Sequence, residues 1–530
     1  YMVFEVRAMA GKQLNLTLGN GTGTVGTDTD TDLEYYDPSA NNGAGAWLAF
    51  TQGLTIPAAP GSTTGTGAHT CAPAGQTEAF WKSRFIVSSF HSAFYRSQDG
   101  GYFVAGENMT PDGLNNVVTP QLLTPANGYP YTGTLIDVLA VEQPPQHAIV
   151  TTEGLWVWGS ENKLIHDSLT TSADFQKITL PAGLNPANVK FISGSGGGMA
   201  LVMQDGTVWT NVTGDAALRG DGSTTINAEF RQVLTAPNTP LTGINDLEFD
   251  KGGVFAYNKQ ANTFYTWGKA VCRGDGSSSV KLPYATAMTA PPLPSGVTVE
   301  QVQVTDMYSS LTYYVLGSDG HVYVLGNNGK GQAGVGTTNE ITSWTTVMDE
   351  TGSAPLGDVV FISGQNTTAS FPSVSAIQEG GRLLSWGLNN GSMIGTGSSS
   401  YRSLPTQPSW DGAPVPVLAV ENGGHFTAII AEGRPGEIGT VGHNPGGAFG
   451  DGTINDKSAY KLLPFLGKDA GGLGGECTPA PNLLVRVAVT QDASFEQQET
   501  VTLTATYTGT TVTAAATGTI KDDGTGVIFT

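Results

Sequence analysis

Residues 147–159 read HAIVTTEGLWVWG. Small apolar residues lead into an acidic-Gly turn, and a second run carries Trp156 and Trp158 before closing on Gly159. The pattern predicts a β-hairpin whose tight turn uses a residue tolerant of positive φ. Its second strand suits burial on both faces. The pattern recurs as HSAFYRSQDGGYFVAG (91–106), MALVMQDGTVWTN (199–211), VFAYNKQANTFYTWG (254–268), TYYVLGSDGHVYVLG (312–326), VSAIQEGGRLLSWG (374–387) and FTAIIAEGRPGEIGTVG (426–442). The turn positions are Gly100, Gly154, Gly206, Asn262, Gly320, Gly380 and Gly433, spaced 52 to 60 residues apart. Seven copies at a near-constant step make a repeat architecture.

After most copies comes a Gly-rich loop: GDGS at 220–223 and 274–277, GVGT at 334–337, GTGS at 395–398 and GDGT at 450–453. A Pro-containing outer segment follows, as in Leu404-Pro405 and Leu463-Pro464. Hairpin and loop together resemble the regulator-of-chromosome-condensation repeat family over about residues 85–470. The resemblance implies a seven-bladed β-propeller of four-stranded blades. The third copy departs from it by lacking the closing Gly (Thr210-Asn211 stand there), and the fourth by lacking the turn Gly. The physics agrees: one blade cannot bury both faces, radial stacking buries them, and seven copies complete a ring without capping repeats.

The flanks differ. Residues 1–56 and 482–530 are strands of alternating Thr, Val and Leu with polar turns. Joined end to end they resemble the Calx-beta type of Ig-like sandwich, most specifically through DASFEQQETVTL (492–503) and TGTIKDDGTGVIF (517–529). The expected fold is all-β: a propeller over 71–477, inserted into a sandwich whose halves are 1–70 and 478–530. Insertion succeeds at loop tips whose ends lie close. Cys71 and Cys477 flank the insertion in matching contexts, TCAPA and ECTPAP. A bridge there would close a loop of about 400 residues, nominally worth ~5 kcal/mol through the unfolded state, and would imply an oxidising compartment. The alternative is two unpaired buried thiols. Cys272, the third, reads as a small buried hydrophobe.

The Calx-beta resemblance also implies calcium. The matching acids are Asp492, Glu496, Asp522 and Asp523, with Asp32 and Glu5 less directly placed. Calcium takes 6–8 oxygens, and only a reunited sandwich brings these acids together. Gly524 stands where the family often has a further acid, so a solvated turn is the competing reading.

The 530 residues include 24 basic and 45 acidic side chains, a net charge of −21, with 13% charged overall. Nucleic-acid binding needs a basic footprint, so it is excluded, as is attraction to an anionic membrane. No run of about 20 apolar residues offers a spanning helix. The chain begins at Tyr1, which is expected of a processed product or an excerpt. No H-E-x-x-H, C-x-x-C or G-K-[ST] motif occurs. His91, His147 and His425 open hairpins, the family's own position, and read as structural. Acids are expected mostly at turns. Arg-Gly-Asp at 219–221 and 273–275 falls on the repeat loop and reads as a turn preceded by Arg. Sequons at Asn15, Asn20, Asn108, Asn211, Asn366 and Asn390 match chance in so Thr-rich a chain.

The expected function is a secreted, non-enzymatic cell-surface or filament protein. Copies would join head to tail or by strand donation, and the propeller would face a surface protein or glycan. The alternative is a soluble secreted binding propeller, an inhibitor or receptor-binding adhesin. A glycan-acting enzyme would need two carboxylates in a cleft. The acid balance disfavours the nuclear exchange-factor role of the family's founding member.

Overall fold

The computed structural model describes residues 78–97, 100–141, 145–159, 164, 173–226, 229–277, 279–307, 310–365, 371–397, 400–432, 434 and 436–467, and the backbone pairing of strands within 2–55 and 482–529. Two compact units emerge: Tyr1–Cys71 with Cys477–Thr530, and Ala72–Glu476.

The larger unit is a seven-bladed propeller. Its four-stranded antiparallel sheets span 86–122, 135–178, 189–232, 246–287, 299–346, 359–406 and 417–464, here blades 1 to 7. Each blade takes its four strands in chain order. The first strand of each blade lies beside the first strand of the next, and Val417–Asn422 of blade 7 lies beside Ile86–Ser88 of blade 1, closing the ring.

The hairpins fold as their sequences predict. In blade 2, His147 pairs with Trp158 and Ile149 with Trp156. Positive φ occurs at Gly100, Gly206, Gly320, Gly380 and Asn262. Gly154 is different: it opens the strand Gly154–Gly159, paired with Thr151, so the turn is Thr152-Glu153. Gly433 lies outside the described residues.

Apolar packing is between blades. Phe94 and Val104 of blade 1 share a core with Ile149, Trp156 and Trp158 of blade 2, and Tyr314 and Val324 of blade 5 with Val374 and Trp386 of blade 6. Indoles tie the Gly-rich loops to the following blade. Trp267 Nε1 donates to Leu218 O at 2.9 Å and Trp386 Nε1 to Gln332 O at 2.7 Å.

The closing glycine is steric. A Cβ at Gly106 (φ 111°) would lie 2.1 Å from His91 O on the neighbouring strand. Blade 3, which lacks this glycine, places Gly198 on the opposite strand, where a Cβ would lie 2.3 Å from Asn211 O. The strand crossing is kept and the glycine changes sides.

In the smaller unit, strands from the two chain ends pair with each other. Met2–Arg7 and Leu33–Asp37 flank Asn482–Val487, with Ala46–Ala49 beyond, in a four-stranded sheet. A five-stranded sheet orders Val527–Phe529, Thr513–Asp522, Glu499–Tyr507, Gln13–Asn20 and Leu54–Thr55.

Gly106→Ala is expected to cost at least about 3 kcal/mol, since backbone must move. Gly100→Ala, with the same kind of φ but nothing within 4 Å, should cost only about 1–2 kcal/mol. Thermal midpoints of the two variants check the order.

Candidate functional site

The first strand of every blade turns one edge toward the ring axis, where no further strand can pair with it. Side chains of the preceding blade take over. Asp137 Oδ2 accepts the Ile192 amide at 2.9 Å, Ser193 Oγ the Phe249 amide at 3.0 Å, and Asp246 Oδ2 the Val302 amide at 3.0 Å. Gln301 accepts from the Ile362 amide at 3.0 Å and donates to the Ile362 carbonyl at 2.7 Å. Ser363 Oγ accepts the Asn422 amide at 3.0 Å. At the closing seam Glu421 Oε1 accepts from the Ser88 amide at 3.2 Å and Ser88 Oγ at 3.3 Å. Six of the seven seams thus share one device. The seventh, between blades 1 and 2, carries the Arg84–Asp137 ion pair at 3.7 Å.

A short helix, Glu78–Lys82, lies against the first strands of blades 5, 6 and 7. Phe80 meets Phe191 of blade 3 at 5.4 Å, and the Arg84 guanidinium stands 5.0 Å over Phe80 and 5.6 Å over Phe191. This segment fills the ring's middle. Beside it lies a cavity of about 60 Å³ lined by Arg84, Ser88, Ser193, Glu248, Gln303 and Glu421. Ligand pockets run to roughly 300–1,000 Å³, several times this volume.

Beyond the acids at turns, the first strands of blades 2, 4, 5 and 7 carry Asp137, Asp246, Glu248, Asp306 and Glu421. Burial pushes the Asp137 and Asp246 carboxyls up, against the pull of Arg84 and of the amides they accept. Asp250 is raised well above the ordinary range by burial and then by facing Asp306, and both carboxyls are buried. Glu421 is pushed up to about 8 by burial.

A different cluster lies at the closing seam. His91 opens the blade 1 hairpin, His425 that of blade 7, and His443 follows the closing Gly442 of blade 7. One ring nitrogen from each falls within 4.8 Å of the others. His91 Nε2 and His425 Nδ1 are 2.8 Å apart. His91 Nδ1 faces Glu107 Oε1 at 3.0 Å, and His443 Nδ1 faces Asp456 Oδ2 at 2.8 Å. Phe90 and Phe371 wall His425 at 3.6 and 4.5 Å between ring centroids. Burial, then the neighbouring His91 and His443, push His425 down to about 3, so it stays neutral. The loop can lie here because Gly446 has no side chain: a Cβ would come 2.5 Å from Glu107 Cγ. His147, at the same repeat position in blade 2, instead places Nε2 3.3 Å from Glu107 O, the structural use the sequence suggests.

Of the calcium candidates, Asp32, Asp492, Glu496 and Asp523 lie outside the described residues, as do Cys71 and Cys477. Glu5 pairs with Leu484 in the four-stranded sheet and Asp522 with Val527 in the five-stranded one. Cys272 is buried, its Sγ 3.3 Å from Ser279 Oγ, and burial raises its thiol. In the first Arg-Gly-Asp, Arg219 is 1% exposed; in the second, Arg273 and Asp275 pair with each other at 2.6 Å.

Because the folded state favours protonated Glu421, its contribution is fully present below about pH 4.5 and is lost as pH rises toward 8. Glu421→Gln should remove up to about 1.4 kcal/mol per pH unit of that slope. The difference in thermal midpoint between the two proteins from pH 5 to pH 8 checks it.

No protein-family model matches the chain, and neither does any curated protein sequence. Among solved structures, a chain of the complex of Kap60 with yeast RCC1 (Prp20) is 15% identical, covers 83% of this chain and 97% of its own length, and has a TM-score of 0.52. Human WBSCR16 is 13% identical, covering 66% of this chain and 84% of its own, with a TM-score of 0.50. What the chain shares with RCC1-type structures is therefore the fold, a seven-bladed β-propeller.

Proposed function

We propose that this chain is a non-enzymatic extracellular protein of a cell surface or filament, its end strands forming the assembly unit and its propeller the displayed interaction head. The observation that carries the reading is the pairing of the two chain ends, Phe4 with Val485 and Leu18 with Leu503. A chain that returns to its own start presents everything between as an insertion. Met2–Arg7 and Val527–Phe529 are also edge strands of their sheets. Edge strands carry open hydrogen-bonding groups that a second copy can satisfy by strand addition, and a head-to-tail contact of that kind propagates. The Calx-beta resemblance of 492–529 supports an Ig-like sandwich for this unit, with calcium at Glu5, Asp32, Asp492, Glu496, Asp522 and Asp523. The net charge of −21 argues against nucleic acid. The filled channel supports a binding rather than a catalytic role, with a surface protein or glycan on a propeller face.

A second reading is a soluble binding propeller. It is favoured by the yeast RCC1 (Prp20) structure, where a protein of this fold is bound to Kap60.

Light scattering over a concentration series separates the two. The full chain should assemble, and a variant lacking residues 1–10 should stay monomeric with the propeller's melting unchanged. If both are monomeric at every concentration, assembly is wrong and the soluble binder stands. Thiol titration of the denatured, unreduced chain should count one thiol, Cys272; three would contradict a Cys71–Cys477 bridge.

A further inference from the structure

The closing seam joins residues more than 300 positions apart in the chain. It is also where three imidazoles converge. Two of them already have the partner that a metal-ligating histidine needs. A carboxylate on Nδ1 fixes the tautomer in which Nε2 carries the coordinating lone pair. Glu107 stands in that relation to His91 and Asp456 to His443. His425 is held between Phe90 and Phe371, with Nδ1 aimed at His91 Nε2.

We propose that His91, His425 and His443 bind one divalent transition-metal ion of the zinc type, which clamps blade 7 to blade 1. His91 and His443 would coordinate through Nε2 and His425 through Nδ1. Tetrahedral bonds of 2.0–2.1 Å place nitrogens about 3.3 Å apart, so the 2.8 Å His91–His425 pair opens by about half an ångström. Two ligands come from blade 7 and one from blade 1, so the ion spans a seam at which no strand is shared. The side chains of His443 and Asp456 are 43% and 57% exposed. The fourth position therefore faces solvent and takes water or an exogenous donor. Three neutral imidazoles select zinc, cobalt, nickel or copper over calcium and magnesium, which prefer oxygen. Glu107 and Asp456 offset the ion's charge.

The test is a cobalt(II) titration of the full, chelator-treated chain, followed by zinc competition. One cobalt per chain should bind with the visible absorption of a tetrahedral site, and zinc should abolish that absorption. Zinc should also raise the propeller's melting midpoint. His443→Ala removes a half-exposed side chain and so keeps the fold; it should weaken binding at least 100-fold and cancel the zinc-dependent rise in melting. Asp456→Asn should weaken binding 10–100-fold, and His321→Ala, far from the seam in sequence, should change nothing. Failure of the wild-type chain to take up cobalt overturns the proposal, as does binding that survives His443→Ala or follows His321.

Discussion

Closing a ring of blades without sharing a strand leaves a row of backbone amides facing the axis, and satisfying them is the constraint on which the propeller depends. An unpaired buried amide costs about as much as a lost hydrogen bond. Here six of the seven first strands lend a side-chain acceptor to the next blade, from Asp137 and Ile192 round to Glu421 and Ser88. The last of these bonds does for ring closure what a borrowed strand would otherwise do. The same side chains bring acids into the interior, which explains why Asp246 and Glu421 hold protons more tightly than exposed carboxyls. Arg84, stacked on Phe80 and Phe191, is the cation set among them.

The central helix follows from this arrangement. A polar, hydrogen-bonded axis would otherwise be open to water. Ala79 and Phe80 cover it with apolar surface, while Arg84 answers Asp137. Chain ends that pair with each other fit a molecule that presents the propeller as an insertion.

Much of this was legible in the sequence, for physical reasons. The hairpin turns and closing glycines recur because the same steric demand recurs from blade to blade, and Trp158, Trp267 and Trp386 fill one position in three of them. Gly198 shows that the demand outlasts the motif: the glycine moves to the facing strand and the crossing survives. The first strands were not legible. Their acceptors are Asp137, Ser193, Asp246, Gln301, Ser363 and Glu421, different chemistries meeting one need, so no motif repeats. The sequence reading therefore sent acids to turns. The histidine cluster was hidden for another reason. His91 and His425 look like ordinary repeat positions, His443 lies outside that position, and only ring closure makes the three neighbours.

The most direct test of the account is native-state hydrogen exchange on the intact chain, read at the amides of Ser88, Ile192, Phe249, Val302, Ile362 and Asn422. If the side-chain relay seals the inner edge, these six exchange only with opening of the whole propeller, at rates matching one another and the hairpin cores. Exchange at loop-like rates while the hairpins stay protected would show that the inner edge is open and that the ring is held by apolar packing alone.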